Sequence, residues 1–233
     1  MRRAVLIGGL LTALALVSVM VTVTYTLFNI DDLIKSTTEN SGRAAFNTDV
    51  TVATVEMSLK TGDGQLIGVR IANPPGFSSA MAVKIPAVEI NVDTKHPTTD
   101  AVVLGKVHLR RPRVRLEIQS GRANLVTIRD SARALAASNS AGQGQRLIIA
   151  ELLIIDGELS VTADFLGNRE LNAKMPDLRL LDIGKAAGGA SPADVSSAIA
   201  GLLVKATERA VRRIDLKAAG AGNGMDLQKL LTD

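Results

Sequence analysis

Apolar and polar positions follow three different rhythms along this chain. From Ala4 to Phe28 there is no alternation, because AVLIGGLLTALALVSVMVTVTYTLF carries no charged residue. These 25 residues at a helical rise of about 1.5 Å give roughly 37 Å, enough to cross a hydrocarbon core of about 30 Å with some tilt. From Ile30 to about Arg43 the spacing is helical, with Ile30, Leu33 and Ile34 on one face and Gly42 as the expected terminator. From Val50 the period is two. Val50, Val52, Val55, Met57 and Leu59 alternate with polar residues up to a turn at Thr61–Gly64. In the next run Ile67, Val69 and Ile71 are set against Gly68, Arg70 and Ala72, and Asn73, Pro74, Pro75 and Gly76 end it.

Another strand is expected from Met81, where Val83 and Ile85 give way beyond Pro86 to Val88, Ile90 and Val92. That parity slip calls for a bulge or bend at the proline, which cannot donate to a ladder. Val107 and Leu109, then Val114, Leu116 and Ile118, continue the alternation on either side of Pro112, which marks either a bend or a hairpin. Leu125 to Ala137 reads as a helix and Ser138 to Gln145 as a linker. Asp156–Gly157 is the expected tight turn of a hairpin between LIIAELLII and ELSVTA. Leu171 to Leu181 is a strand interrupted at Pro176. After a glycine-rich bridge, Ser191, Pro192 and Asp194 read as N-cap, first helical residue and capping-box acid. They open an amphipathic helix with Val195, Ile199, Leu202, Leu203, Ala206 and Ala210 on one stripe. Met225 to Leu231 is a last short helix.

Charge gives the first segment a direction. Arg2 and Arg3 precede it and Asp31 and Asp32 follow it, so the bias in basic residues places the amino terminus in the cytoplasm and the rest of the chain outside. A cleaved signal peptide would have a shorter apolar region and a small-residue cleavage site. The AxA pattern at Ala13–Ala15 lies mid-span, and cutting there would leave Leu16 to Phe28 on the mature chain. A retained single-pass anchor is therefore expected.

With 46% hydrophobic and 21% charged residues the exported part is globular rather than disordered. The net charge of +4 includes Arg2 and Arg3, which leaves +2 outside and does not suggest a nucleic-acid partner. Aromatic residues at 2% supply no stacking platform for bases or sugars. The absence of cysteine removes disulfides, thiolate metal sites and thiol catalysis.

No catalytic residue is expected. The chain has neither a GxSxG elbow nor a Walker loop, and His96 and His108 are not accompanied in sequence by the spaced carboxylates or imidazoles of a metal site. No metal or cofactor is expected. Arg110, Arg111, Arg113 and Arg115 form a basic run on strand surface. It is either a solvated, aggregation-resistant edge or a contact for anionic headgroups or a partner. The apolar set Val69, Ile71, Val88, Ile90, Val92, Val107, Leu109, Val114 and Leu116 is either the lining of a lipid groove or an ordinary core face that the C-terminal helix covers.

The order of elements resembles the bacterial AsmA-like family. The resemblance rests on Gly64, Leu66, Gly68, Ile71, Asn73, Pro74, Gly76 and Phe77, continued by Pro112, Val114, Glu117, Gly121, Asn124 and Leu125. It covers roughly residues 30 to 185 and includes IIDGEL and MPDLRLLDIG. The resemblance implies a bacterial inner-membrane protein with a single span, a cytoplasmic amino terminus and a periplasmic domain. It also implies a curved sheet with an apolar concave face, and phospholipid handling akin to that of chorein-type lipid-transfer bridges. At about 4.8 Å per strand, eight strands give roughly 40 Å, too short to bridge an envelope alone.

The expected fold is α+β. An N-terminal transmembrane helix (1–28) and a juxtamembrane helix (29–44) precede a curved, mainly antiparallel sheet of about eight strands (45–183) with a helix near 125–137. A Gly-rich linker and C-terminal helices (184–233) follow, one of them packed on the sheet. The expected partners are the membrane, phospholipid and other envelope proteins. The expected function is binding or passing acyl chains in envelope lipid homeostasis, with a non-enzymatic scaffold or interaction module having a closed core as the alternative.

Overall fold

Most strand segments of this protein are halves of longer ribbons that bend along one shared line. The computed structural model describes residues 30–78, 80–94, 101–138, 145–167 and 169–214. The expected span Ala4–Phe28 and the helix at Met225–Leu231 lie outside the described residues. Among those residues no helix is long and apolar enough to cross a membrane.

Helix α1 is Ile30–Phe46. The strands β1 (Val50–Thr51), β2 (Thr54–Met57), β3 (Asp63–Ala72), β4 (Met81–Val92), β5 (Ala101–Arg110), β6 (Arg113–Gln119) and β7 (Arg122–Ala123) follow. Helix α2 is Asn124–Ser138, and β8 (Arg146–Ile155), β9 (Glu158–Ala163), β10 (Leu171–Lys174) and β11 (Leu178–Ile183) lead to helix α3, Pro192–Val211. Among the described residues the eleven strands form one curled, half-barrel sheet. In ribbon order it runs β1/β2, β3, β4, β5/β6, β8/β9, β11/β10. Neighbouring ribbons are antiparallel except that β5 and β6 run parallel to β8 and β9. Helix α2 is the crossover that such a parallel connection requires.

The bend crosses the ribbons at Ala53, Gly68, Pro86, Arg111–Pro112, Asp156–Gly157 and Pro176. In the first three ribbons the buried positions step by three there, from Val52 to Val55, Leu66 to Val69 and Ile85 to Val88. Gly68 has φ +65 and lies opposite Pro86, which has no N–H to give. The slip expected at Pro86 is present. The neighbouring ribbon slips with it, so Leu66 and not Ile67 shares the buried face of Val69 and Ile71. Backbone bonds cross the other corners, from Arg111 N to Ile155 O (2.9 Å), Glu158 N to Pro112 O (2.8 Å) and Met175 N to Gly157 O (2.8 Å).

Two expectations are corrected, one at a turn and one at a helix end. Asp156–Gly157 does not close a hairpin, because β8 pairs with β5 and β11 while β9 pairs with β6 and β10. Only Asp156 has a positive φ, 55°, whereas the type I′ turn expected of an Asp-Gly pair needs one at both positions. The dipeptide is a corner. The tight turn that meets the requirement is Ser120–Gly121, φ 50° and 74°, which joins β6 to β7. Pro112 is likewise a bend. Gly42 does not end α1: the helix runs on to Phe46, and a Cβ on Gly42 would come within 3.0 Å of the Val50 methyls. Close packing of helix on strand, not termination, requires the glycine.

The expected capping box is present. Ser191 Oγ accepts from Asp194 N (3.1 Å), while Ser191 N donates to Asp194 Oδ2 (3.0 Å). The buried surface of α3 is broader than a stripe, because Val204, Thr207 and Val211 are covered as well as Leu202, Leu203 and Ala206. The helix lies among α1, α2 and the sheet, so three sides of it meet protein.

Candidate functional site

The inner sheet face is closed. Of the nine candidate lining residues, Val69, Ile71, Val88, Val107, Leu109, Val114 and Leu116 are buried, none more than 8% exposed. Ile90 is half-buried against the same core, and Val92 is half-buried at the end of β4. One contiguous cluster joins these strands to Phe46 of α1, to Leu125, Ile128 and Ala132 of α2, and to Val195, Leu203 and Ala210 of α3. The three helices thus form a layer over the face, each completing its own burial against the others.

On the outer face the basic run is divided by the corner. Arg110 Nε lies 3.3 Å from Glu89 Oε1, Arg113 Nε 3.8 Å from Glu158 Oε2, and an Arg115 guanidinium nitrogen 3.5 Å from Glu170 Oε2. Arg111 sits at the bend with φ 48° and makes no ion pair among the described residues. Arg113 and Arg115 line an open cleft of about 710 Å³, together with Lys84, Glu158, Glu170 and Lys174. The cleft lies along β4, β6, β9 and β10, and its charged lining comes from their polar side.

On the other side of the corner line, the same face carries a matched ladder. His108 Nε2 is 2.7 Å from Glu151 Oε1, and its Nδ1 is 4.0 Å from Glu89 Oε2. Arg179 pairs with the second oxygen of Glu151. The hydrogen bond with His108 is the main cause that holds the Glu151 carboxyl below the usual range; Arg179 helps and desolvation opposes. His108 is therefore flanked by two carboxylates that its sequence neighbourhood does not show. They come from β4 and β8, 19 and 43 residues away, so local spacing carries no sign of them. Among the described residues no group of three or more His, Asp or Glu side chains is placed to hold a metal ion.

A buried polar knot ties the loop after β3 to the start of α2. Glu117, 4% exposed, accepts from Ser78 Oγ (2.8 Å), from the Ser78 backbone N–H, and from Asn73 Nδ2 (3.0 Å). Asn124, fully buried, accepts from Glu117 N (3.0 Å) and Leu125 N (2.8 Å). It donates to Asn73 Oδ1 (2.7 Å) and Arg115 O (2.8 Å). Arg122 stacks 5.7 Å from the Phe77 ring centroid. Asn73, Phe77, Glu117 and Asn124, all among the residues that carry the AsmA-like resemblance, thus converge on one place. Their role in this arrangement is to fix the Asn73–Ser78 loop and the entry of α2. No protein-family model matches the chain, and no curated protein matches it.

Proposed function

We propose that this chain is a membrane-tethered, non-enzymatic envelope module of AsmA-like type. Its apolar sheet face is permanent core, and it works by presenting its polar sheet face to other envelope components. The observation that carries the choice over acyl-chain passage is the burial of seven of the nine candidate lining residues beneath three helices. Opening that face would expose Leu116, Leu152 and their neighbours. At roughly 2 kcal/mol per buried aliphatic side chain, half a dozen such exposures cost about 12 kcal/mol, as much as the whole stability of an ordinary domain. The anchor at Ala4–Phe28, with Arg2 and Arg3 before it, supplies the tether and places the domain in the periplasm.

Native mass spectrometry of the gently extracted full chain tests this reading. The expected spectrum holds no phospholipid bound to the domain, and a charged residue at Ile90 or Val107 unfolds it. A stoichiometric phospholipid that is lost on Ile90→Asp while the domain stays folded would overturn the reading. A second, narrower reading has one observation in its favour: Ile90, Val92 and Leu104 are only partly covered, at one end of β4 and β5. Acyl-chain contact confined to that end would leave the core closed.

A further inference from the structure

Strand register aligns a row of cations that the sequence scatters over 105 residues, from Arg70 to Lys174. Arg70 is paired with Lys84, Lys84 with Arg113, Arg113 with Glu158, and Glu158 with Lys174, each directly across a ladder. All five side chains are exposed on the outer face. Three adjacent ribbons therefore place like charges directly opposite one another, an arrangement that costs stability in a sheet. Glu158 at 3.8 Å from Arg113 is a loose counter-ion, and Arg70, Lys84 and Lys174 make no ion pair among the described residues. An open cleft of about 710 Å³ runs over the Lys84–Lys174 part of the row, flanked by Arg115, Ser160, Glu170 and Asn172. The fold gains nothing from this arrangement, but an anionic ligand does.

We infer that the row is a docking surface for an acidic, extended polypeptide segment of another protein. This deepens the interaction-module reading and rests on it. Four ribbon spacings of about 4.8 Å give a row about 19 Å long, the reach of about six extended residues. Side-chain carboxylates on such a segment would meet Arg70, Lys84, Arg113 and Lys174 in turn. The anchoring bilayer fits less well. The tether enters the helical layer at Ile30, and the row lies on the opposite face of the sheet.

The test uses the full chain in phosphatidylcholine nanodiscs and a fluorescein-labelled octaglutamate peptide, followed by anisotropy. The expected result is salt-sensitive binding that Lys84→Gln with Arg113→Gln weakens about tenfold, while Lys205→Gln with Arg209→Gln on α3 changes it by less than about twofold. The two double variants alter net charge equally. Equal loss in both, or no binding by the unaltered chain, would overturn the inference. So would phosphatidylglycerol vesicles that bind through Lys84 and Arg113 where the peptide does not. Native mass spectrometry of the same sample separates the two levels: a phospholipid held inside the domain would overturn the module reading, whatever the peptide does.

Discussion

On its inner face the bent sheet buries Val83, Leu116, Leu152 and Ile154 under three helices, whereas on its outer face the same strands present two rows of charge. The outer rows themselves differ. Below the corner line Glu89, His108, Glu151 and Arg179 engage one another, and each carboxylate has an arginine partner. Above it Arg70, Lys84 and Arg113 stand side by side with one loose counter-ion. The contrast separates what holds the fold from what the fold leaves available. Inner-face residues contribute by burial, the matched ladder contributes a little, and the like-charged row works against stability.

The largest expected effect is on the inner face. Leu116→Ala, at a fully buried position, should cost about 3 kcal/mol in urea unfolding, from lost transfer energy plus the cavity left behind. A loss below about 1 kcal/mol would mean that solvent or lipid reaches this face, and the contrast between faces would fail. Next is the buried knot. Asn124→Ala should cost about 2 kcal/mol, because it strips partners from Asn73 Oδ1, Arg115 O and two backbone N–H groups within a buried site.

A smaller effect comes from the matched ladder and appears only in acid. The Glu151 carboxyl in the folded state titrates below its ordinary value of 4.5. Its stabilisation is therefore complete above that value and disappears as pH falls through the lower folded one. Melting temperature plotted against pH should fall more steeply below about 4.5 for the unaltered chain than for Glu151→Gln. His108→Leu removes the leading cause of the shift and should bring the two curves closer together. Parallel curves for the unaltered chain and Glu151→Gln would show that the ladder is not formed in solution.

Legibility in the sequence followed the range of each interaction. The Ser191–Asp194 capping box, the slip at Pro86 and the break at Pro176 are local, so the residues alone announce them. Asp156–Gly157 has the composition of a hairpin but the role of a corner. Only the partners of β8 and β9, on strands as far away as Ala101 and Ile183, decide between the two. The apolar face was readable as a face, but whether helices or lipid covered it was not, since alternation records burial and not its agent. Arg113 and Arg115 were visible as part of a run. Their neighbours Lys84 and Lys174 become neighbours only through register, so the sequence showed four clustered arginines where the fold makes a row across five ribbons.

The smallest expected effect bears most directly on that row. Surface substitutions away from caps and buried networks usually change stability by no more than about 0.5 kcal/mol, so magnitude alone says little about Lys84 or Arg113. Sign is informative. Arg70, Lys84 and Arg113 repel across adjacent ladders, so Lys84→Gln should raise the melting temperature slightly, and the gain should shrink as salt is added. Gln keeps only the first two methylenes of the stem, but lost contact area would lower the melting temperature at any salt concentration and so cannot mimic a salt-sensitive gain. A gain at low salt that fades in high salt would mean that the row carries unrelieved repulsion, as a surface kept for an anionic partner should. A salt-independent loss would mean that Lys84 supports the sheet, and the two outer rows would then differ in layout but not in what they do.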